Sequence, residues 1–249
     1  MTIKVAGLAG LAALSFFDCS AEAVAAPPVA SPFAGFYLGV DAGAGWNTGK
    51  TSTVPTQELY DYSDGTVADL ATGTRSGFLG GIYTGYNMLV SPMVVLGVEA
   101  DVNFGRLSAT KSDFDAVTQG ESYYTYSLNN TVDWSGSLRV RAGLTQQNWL
   151  LYVTGGLAIA DISSSGYIAD GGDLPFYAEA SSHQLRAGWT VGLGAEYAVT
   201  PNWLIRAEYL YADYGRSEVG AISTGDPLTF TLRTAASVSN VRVGAAYKF

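Results

Sequence analysis

Residues 94–105 read VVLGVEADVNFG, and this stretch decides the fold. Its even-numbered positions, from Val94 to Phe104, are all apolar, whereas its odd-numbered positions include Glu99 and Asp101. Successive side chains of a β-strand point to opposite faces of the sheet. Alternation with a period of two therefore predicts a strand with one apolar face and one charged face.

The same alternation recurs in seven further segments. They are residues 36–46, 76–88, 131–144, 149–160, 185–199, 203–212 and 240–249. Three connections are short turns, and the other four are long and polar: residues 47–75, 107–130, 161–184 and 213–238. Short turns at one end and long loops at the other are typical of outer-membrane barrels. The chain is therefore predicted to be all-β, an eight-stranded antiparallel up-and-down transmembrane β-barrel with four long extracellular loops.

The charges of the predicted strands lie on the face opposite the apolar one. Taken with Lys248, they are six acidic and six basic residues, and such a balanced set suits charges that are removed from water and must pair. We therefore predict that they fill the lumen as one network. Its predicted members are Asp41, Glu99, Asp101, Asp133, Arg139, Arg141, Arg186, Glu196, Arg206, Glu208 and Arg242.

All five tryptophans lie on the apolar face, close to the ends of predicted strands. Trp189 and Tyr197 are eight positions apart, a rise of roughly 19 Å for a strand tilted by about 45°, near the ~25 Å apolar band of an outer-membrane barrel. Amphipathic rings are favoured at both membrane–water interfaces. The predicted interface aromatics are Phe36, Trp46, Phe104, Trp134, Trp149, Trp189, Trp203 and Tyr247.

Composition excludes several classes of function. The 249 residues carry a net charge of −9, so nucleic acid is not a predicted partner. One cysteine and one histidine cannot form a zinc finger or a Cys/His metal cluster, and no GxGxxG or P-loop pattern occurs. We predict no metal, no cofactor and no enzymatic activity. No apolar run reaches the roughly 18 to 20 residues of a membrane-spanning helix.

The first 25 residues are predicted to be a cleavable signal peptide. Lys4 precedes an apolar run from Val5 to Phe17, and Ala23-Val24-Ala25 is the predicted cleavage signal. Residues 26–35, which contain three prolines, are predicted to be an extended periplasmic N-terminal linker. Residues 36–249 are then the outer-membrane β-barrel.

Several segments resemble a known family. FYLGVDAGAGW (36–46), GVEADVNFG (97–105), DWSGSLRVRAGL (133–144) and the terminal VRVGAAYKF are similar to segments of small OmpA-like barrels. The resemblance is strongest to alphaproteobacterial surface proteins of the RopB type, also called porins, immunogenic outer-membrane proteins or hemin-binding proteins. It covers about residues 33–249. It implies an integral barrel of the bacterial outer membrane with a surface-exposed role in envelope integrity.

The resemblance also implies partners. The C-terminal strand looks like the signal that outer-membrane proteins present to the barrel-assembly machinery, and its residues here are Val241, Val243, Tyr247 and Phe249. Outer-membrane lipid and lipopolysaccharide are further expected partners. The tyrosine-rich stretch Tyr123, Tyr124, Tyr126 is a candidate contact surface for a host or phage.

Several alternative interpretations stay open. A narrow porin would pass small solutes through the charged lumen. A hemin receptor would use His183, which adjoins Ser181 and Ser182, and an acyl-transfer site could use the same residues. Weak divalent bridging to lipopolysaccharide is a hypothesis for the loop carboxylates, which are Asp61, Asp64, Asp113, Asp115, Asp170 and Asp173.

Overall fold

The computed structural model describes residues 31–55, 75–117, 122–170, 177–222 and 229–249. They form a closed barrel of eight antiparallel strands, each paired with its neighbours in sequence, and β1 closes the barrel against β8. The strands are β1 (Gly35–Pro55), β2 (Arg75–Ser91), β3 (Val94–Val117), β4 (Ser122–Gln146), β5 (Trp149–Asp170), β6 (Tyr177–Ala198), β7 (Trp203–Ile222) and β8 (Thr229–Lys248). The predicted fold is confirmed. We call the end with the short turns the lower end and the opposite end the upper end.

The strands are longer than predicted, and the additional length lies at the upper end. β3 and β4 stay paired as far as Val117 and Ser122, so most of the predicted loop 107–130 is strand. Hydrophobic alternation fades where both faces of a strand are polar, whereas the backbone ladder does not depend on it. With 25 residues at about 3.3 Å each and a tilt near 45°, β4 rises roughly 58 Å, about twice a ~25 Å apolar band.

Three β-bulges interrupt the strand ladders above the ionic side chains of the lumen. They lie between Phe104 and Leu107, between Val132 and Trp134, and between Asp213 and Arg216. A bulge adds one residue to a strand, so the alternation beyond it changes phase. The bulge in β4 consequently buries Val132 inside the barrel, whereas Leu107 and Tyr214 are buried there on the unchanged parity of β3 and β7. The alternation of residues 131–144 predicts that Val132 shares the outer face with Trp134, and this prediction was wrong because the bulge lies between them.

The lumen contains two apolar layers. The lower layer consists of Phe33, Tyr37, Tyr83, Val95, Leu150, Tyr152, Ala198, Leu204 and Ala246, with Leu89 packed against it. The upper layer consists of Leu107, Val132, Ala158, Ala160, Ile162, Ala212, Tyr214, Ala236 and Val238, with Leu79 packed against it. Polar and charged side chains occupy the lumen between these layers.

The segment that leads into β1 forms the floor of the barrel. Phe33 is 0 % exposed and packs in the lower apolar layer, while its carbonyl accepts a hydrogen bond from Asn87 Nδ2 at 2.9 Å. The Ala34 amide donates to the Ser31 carbonyl at 3.3 Å, which forms a turn. For residues 31–35 the prediction of an extended linker was therefore wrong, because burial of the Phe33 ring folds the segment under the lumen.

The outer face is apolar over the lower half of the barrel. Leu157 is 68 % exposed and Val140 is 65 % exposed, and both point away from the lumen. Among the described residues there is no helix long and apolar enough to cross a membrane.

Candidate functional site

Nine charged side chains form an ionic core between the two apolar layers. We call this set the ionic core: Asp41, Glu99, Asp101, Arg139, Arg141, Glu196, Arg206, Glu208 and Arg242. All are buried, and they come from β1, β3, β4, β6, β7 and β8. Strand alternation directs each of them inward, so their position follows from the parity of the strands.

Arg139 of β4 contacts three carboxylates. Its Nη2 lies 2.5 Å from Glu99 Oε1 and 3.1 Å from Asp101 Oδ2, and its Nη1 lies 3.0 Å from Glu208 Oε1. Arginine is suited to this position because its planar guanidinium offers five donors in a fixed arrangement. A single side chain thus ties β4 to its neighbour β3 and to β7 on the other side of the lumen.

The other three arginines extend the same network. Arg206 binds Asp41 at 3.0 Å and Glu99 at 2.9 Å. Arg242 binds Glu208 at 2.8 Å and Asp101 at 3.2 Å. Arg141 binds Glu196 at 2.8 Å and Glu99 at 3.2 Å. Each guanidinium therefore meets at least two carboxylates, which compensates part of the cost of removing these charges from water.

Three tyrosines join the ionic core to the lower apolar layer. Tyr37 donates its hydroxyl hydrogen bond to Glu99 Oε2 at 2.7 Å, and Tyr152 donates to Glu208 Oε1 at 3.0 Å. The guanidinium carbon of Arg206 lies 3.3 Å from the centroid of the Tyr83 ring, a cation–π arrangement. The sequence analysis missed these residues, although all three lie on the inward parity of their strands.

Each of these rings depends on a glycine directly opposite it. Tyr37 pairs with Gly85 and Tyr83 pairs with Gly39 across β1 and β2, and Tyr152 pairs with Gly194 across β5 and β6. A side-chain carbon at any of the three glycines would collide with the tyrosine ring. An inward tyrosine with a glycine opposite it on the neighbouring strand is the signal that would have identified this layer.

Two residues of the predicted network lie elsewhere. Asp133 is located at the β4 bulge, is partly exposed, and pairs with Arg106 at 3.3 Å, a side chain that is 78 % exposed. The prediction that Asp133 joins the lumen network was wrong, because the bulge alters the direction of its side chain. Arg186 is buried opposite Ala160, at the level of the upper apolar layer.

The predicted interface aromatics form two bands on the outer face. At the lower end Trp149 packs against Tyr197 with ring centroids 4.8 Å apart, and Trp203 contacts Tyr247 edge-on at 5.3 Å. About half-way up the barrel Trp189 packs against Tyr211, with ring centroids 5.5 Å apart. Phe36 belongs to the lower band, where it contacts Phe249, and Trp46, Phe104 and Trp134 belong to the upper one.

The C-terminal strand presents its predicted signal residues outward. Val241, Val243 and Tyr247 are exposed on the outer face of β8, and Phe249, which directly follows β8, is exposed as well. The Phe249 amide donates to the Phe36 carbonyl at 3.0 Å, so the last residue is held against the start of β1.

The remaining candidate residues lie at the upper end. His183 is in β6 and not in a loop; it is 69 % exposed, and its Nε2 lies 3.2 Å from Asp161 Oδ1. The tyrosine-rich stretch begins β4, Asp113 and Asp115 belong to β3, and Asp170 ends β5. Asp61, Asp64 and Asp173 lie outside the described residues.

A cavity of about 30 Å³ lies between the ionic core and the upper apolar layer. Arg242 and Asp101 line its lower side, and Tyr214 and Leu107 line its upper side. The cavity therefore has room for only a few water molecules.

Comparisons with known proteins agree with this architecture. The family model described as "Outer membrane protein beta-barrel domain" matches residues 9–249. The 31 kDa outer-membrane immunogenic protein of Brucella melitensis is 32 % identical over 226 residues, which cover 90 % of this chain and 87 % of that protein. The 25 kDa outer-membrane immunogenic protein of Brucella abortus is 30 % identical over 250 residues, covering 96 % and 95 %.

A solved structure shares the fold. The outer membrane protein OprG from Pseudomonas aeruginosa superimposes with a TM-score of 0.53 at 13 % identity, covering 88 % of this chain and 98 % of that one. At this identity the likeness concerns the fold alone. The closed antiparallel barrel, its apolar outer face, the family match and the two Brucella relatives lead to one conclusion: the chain belongs to the outer-membrane β-barrel family and is an outer-membrane protein.

Proposed function

We propose that this barrel is a structural, surface-exposed component of the outer membrane that contributes to envelope integrity and passes no solute. One observation carries the proposal: the ionic core is enclosed between an apolar floor and an apolar upper layer. A hydrated ion on its way through would have to displace both layers. The cross-lumen ion pairs instead favour a rigid, filled cylinder.

The charge arrangement also favours a structural role over a pore lining. In a channel, charged side chains face water and remain available to the permeating ion. Here the side chains of Arg139 and Glu208 are both 0 % exposed and bind each other at 3.0 Å. Separating such a pair leaves an uncompensated buried charge, which costs about 3 to 5 kcal/mol.

The proposed orientation puts the short turns in the periplasm and the upper strands outside the cell. The two aromatic bands would then lie at the two membrane–water interfaces. Arg106, exposed beside the upper band, would meet the phosphates of lipopolysaccharide, because arginine binds phosphate through paired hydrogen bonds. The upper strands beyond the apolar band would carry contacts with a host or phage.

The outward side chains of the last strand support a role in assembly. Val241, Val243, Tyr247 and Phe249 form an apolar stripe on β8, and we propose that the barrel-assembly machinery recognises it. In the same scheme residues 1–25 are removed as a signal peptide. Residues 26–30 would then lead to the turn that contains Phe33.

Liposome swelling tests the proposed closed lumen. Liposomes that contain the purified barrel should swell in arabinose no faster than protein-free liposomes, while a general porin in parallel samples gives rapid swelling. Swelling above the protein-free rate would overturn the proposal and favour the narrow porin. A hemin-binding role is tested separately: binding that is lost in His183→Ala would favour the receptor.

A further inference from the structure

The wall of the barrel opens between β6 and β7. Their ladder runs from Ala198 and Leu204 at the lower end to Trp189 and Asp213, where it ends. Both strands continue upward, β6 to Tyr177 and β7 to Ile222, and there they pair with β5 and β8 respectively. Within the described part of the chain, residues 177–183 and 216–222 therefore have a strand on one side and an open edge on the other.

The local structure of β7 produces this divergence. Its bulge lies between Asp213 and Arg216, directly where the ladder ends. Gly215 has a φ of +68°, and its amide donates to Asp213 Oδ1 at 2.7 Å. Bulges bend a strand and increase its twist, so this one turns the upper part of β7 away from β6. The opening is thus encoded by the sequence Asp213-Tyr214-Gly215-Arg216.

An open strand edge presents a row of backbone donors and acceptors that can pair with another strand. A second opening, between β1 and β3 above β2, borders residues 56–74, which lie outside the described residues. At the β6–β7 opening, the lower turn at residues 199–202 connects the two strands directly, and this turn is fully described.

Strand direction decides which partner fits. β6 runs towards the lower end and β7 runs towards the upper end. A single added strand would be antiparallel to one edge and parallel to the other. A second barrel with the same orientation in the membrane can pair with both edges at once. Its β7 would pair with β6 of the first barrel and its β6 with β7 of the first barrel, and both pairings are antiparallel.

We propose that two copies of this chain form a dimer in which β6 of each copy pairs with β7 of the other above the membrane. The contact is reciprocal about a two-fold axis along the membrane normal, the symmetry of a closed homodimer. This proposed dimer is independent of the proposed function, because the pairing of β6 with β7 does not depend on whether the lumen passes a solute.

Disulfide cross-linking tests this arrangement in outer membranes. Two differently tagged full chains are co-expressed, both with Cys19→Ser; one carries Ser181→Cys on β6 and the other carries Arg216→Cys or Glu218→Cys on β7. Mild oxidation should give a disulfide-linked dimer of the two tags. In the control, Ser76→Cys on β2, at the opposite side of the barrel, replaces Ser181→Cys and should give only background.

Hydrogen exchange provides a second measurement on the unsubstituted protein in micelles. The amides of residues 216–222 should exchange slowly in the dimer fraction and rapidly in monomers obtained by dilution. Cross-linking no greater than in the Ser76→Cys control would overturn the proposal. Slow exchange of these amides in a monomer would also overturn it, because the edge would then be covered within one chain.

Discussion

Arg139 of β4 and Glu208 of β7 form an ion pair across the lumen, with Nη1 and Oε1 3.0 Å apart and neither side chain exposed. β4 and β7 are not neighbours in the sheet, so no backbone ladder connects them. The pair joins opposite walls of the barrel, which the strand ladders alone cannot do. Loss of this pair should therefore lower the free energy of unfolding of the barrel.

Arg139→Ala should lower the free energy of unfolding by about 3 to 5 kcal/mol, because three carboxylates lose a buried cation. Urea unfolding in micelles, followed by the mobility of unheated samples on SDS gels, measures the loss. The control is Arg106→Ala, which removes an exposed pair with Asp133 and should cost less than about 1 kcal/mol. Equal midpoints for the two variants would contradict the prediction.

Gly194→Ala should destabilise the barrel by about 1 to 3 kcal/mol, because the added methyl group displaces the Tyr152 ring that lies over this glycine. The displaced hydroxyl would also lose its hydrogen bond to Glu208. Gly155→Ala is the matched control, since a methyl group there meets only ordinary contacts at 3.6 Å or more. If both variants unfold at the same urea concentration, the contact between the Tyr152 ring and Gly194 does not contribute to the stability of the barrel.

Phe33→Ala should cost about 3 to 5 kcal/mol, since this ring is wholly buried in the floor of the lumen. Phe36→Ala, three residues later, removes a ring that is half-exposed on the outer face and should cost less. The comparison uses urea midpoints in the same micelles. An equal or smaller loss for Phe33→Ala would show that the segment before β1 does not seal the barrel.

The aromatic bands predict the depth of individual tryptophans in a bilayer. Variants that keep only Trp149 or only Trp189 should be quenched more by lipids brominated near the headgroup than by lipids brominated near the chain end, because the rings favour the interface. Leu193→Trp, on the outer face between the bands, should show the reverse order. Stronger quenching of Trp149 and Trp189 by the deep bromines would contradict the proposed position of the membrane.

The alternation of residues 94–105 and its seven repeats was enough to predict the number of strands and their antiparallel order, because side-chain parity is a local property of each strand. The parity of the strands also predicted that the side chains of Glu99, Arg139 and Arg242 point into the lumen. The same reasoning failed at Asp133 and Val132, since a bulge changes parity without an obvious mark in the sequence. The same reasoning predicted strands that end too early at the upper end of the barrel. The upper segments are polar on both faces, so they show no hydrophobic alternation and pair through backbone hydrogen bonds alone.

The sequence by itself determined eight strands with the charges on one face and the tryptophans on the other, since these features depend only on the period of two along each strand. Closure into a barrel followed because lipid cannot hydrogen-bond to open strand edges. Only the tertiary structure decided that Arg139 meets Glu208, that Phe33 closes the floor, and that β6 and β7 separate above Trp189 and Asp213. These contacts join residues far apart in the chain, and the register between strands and the bulges within them set which residues meet. Neither the register between strands nor the position of a bulge can be predicted from the alternation within a single strand.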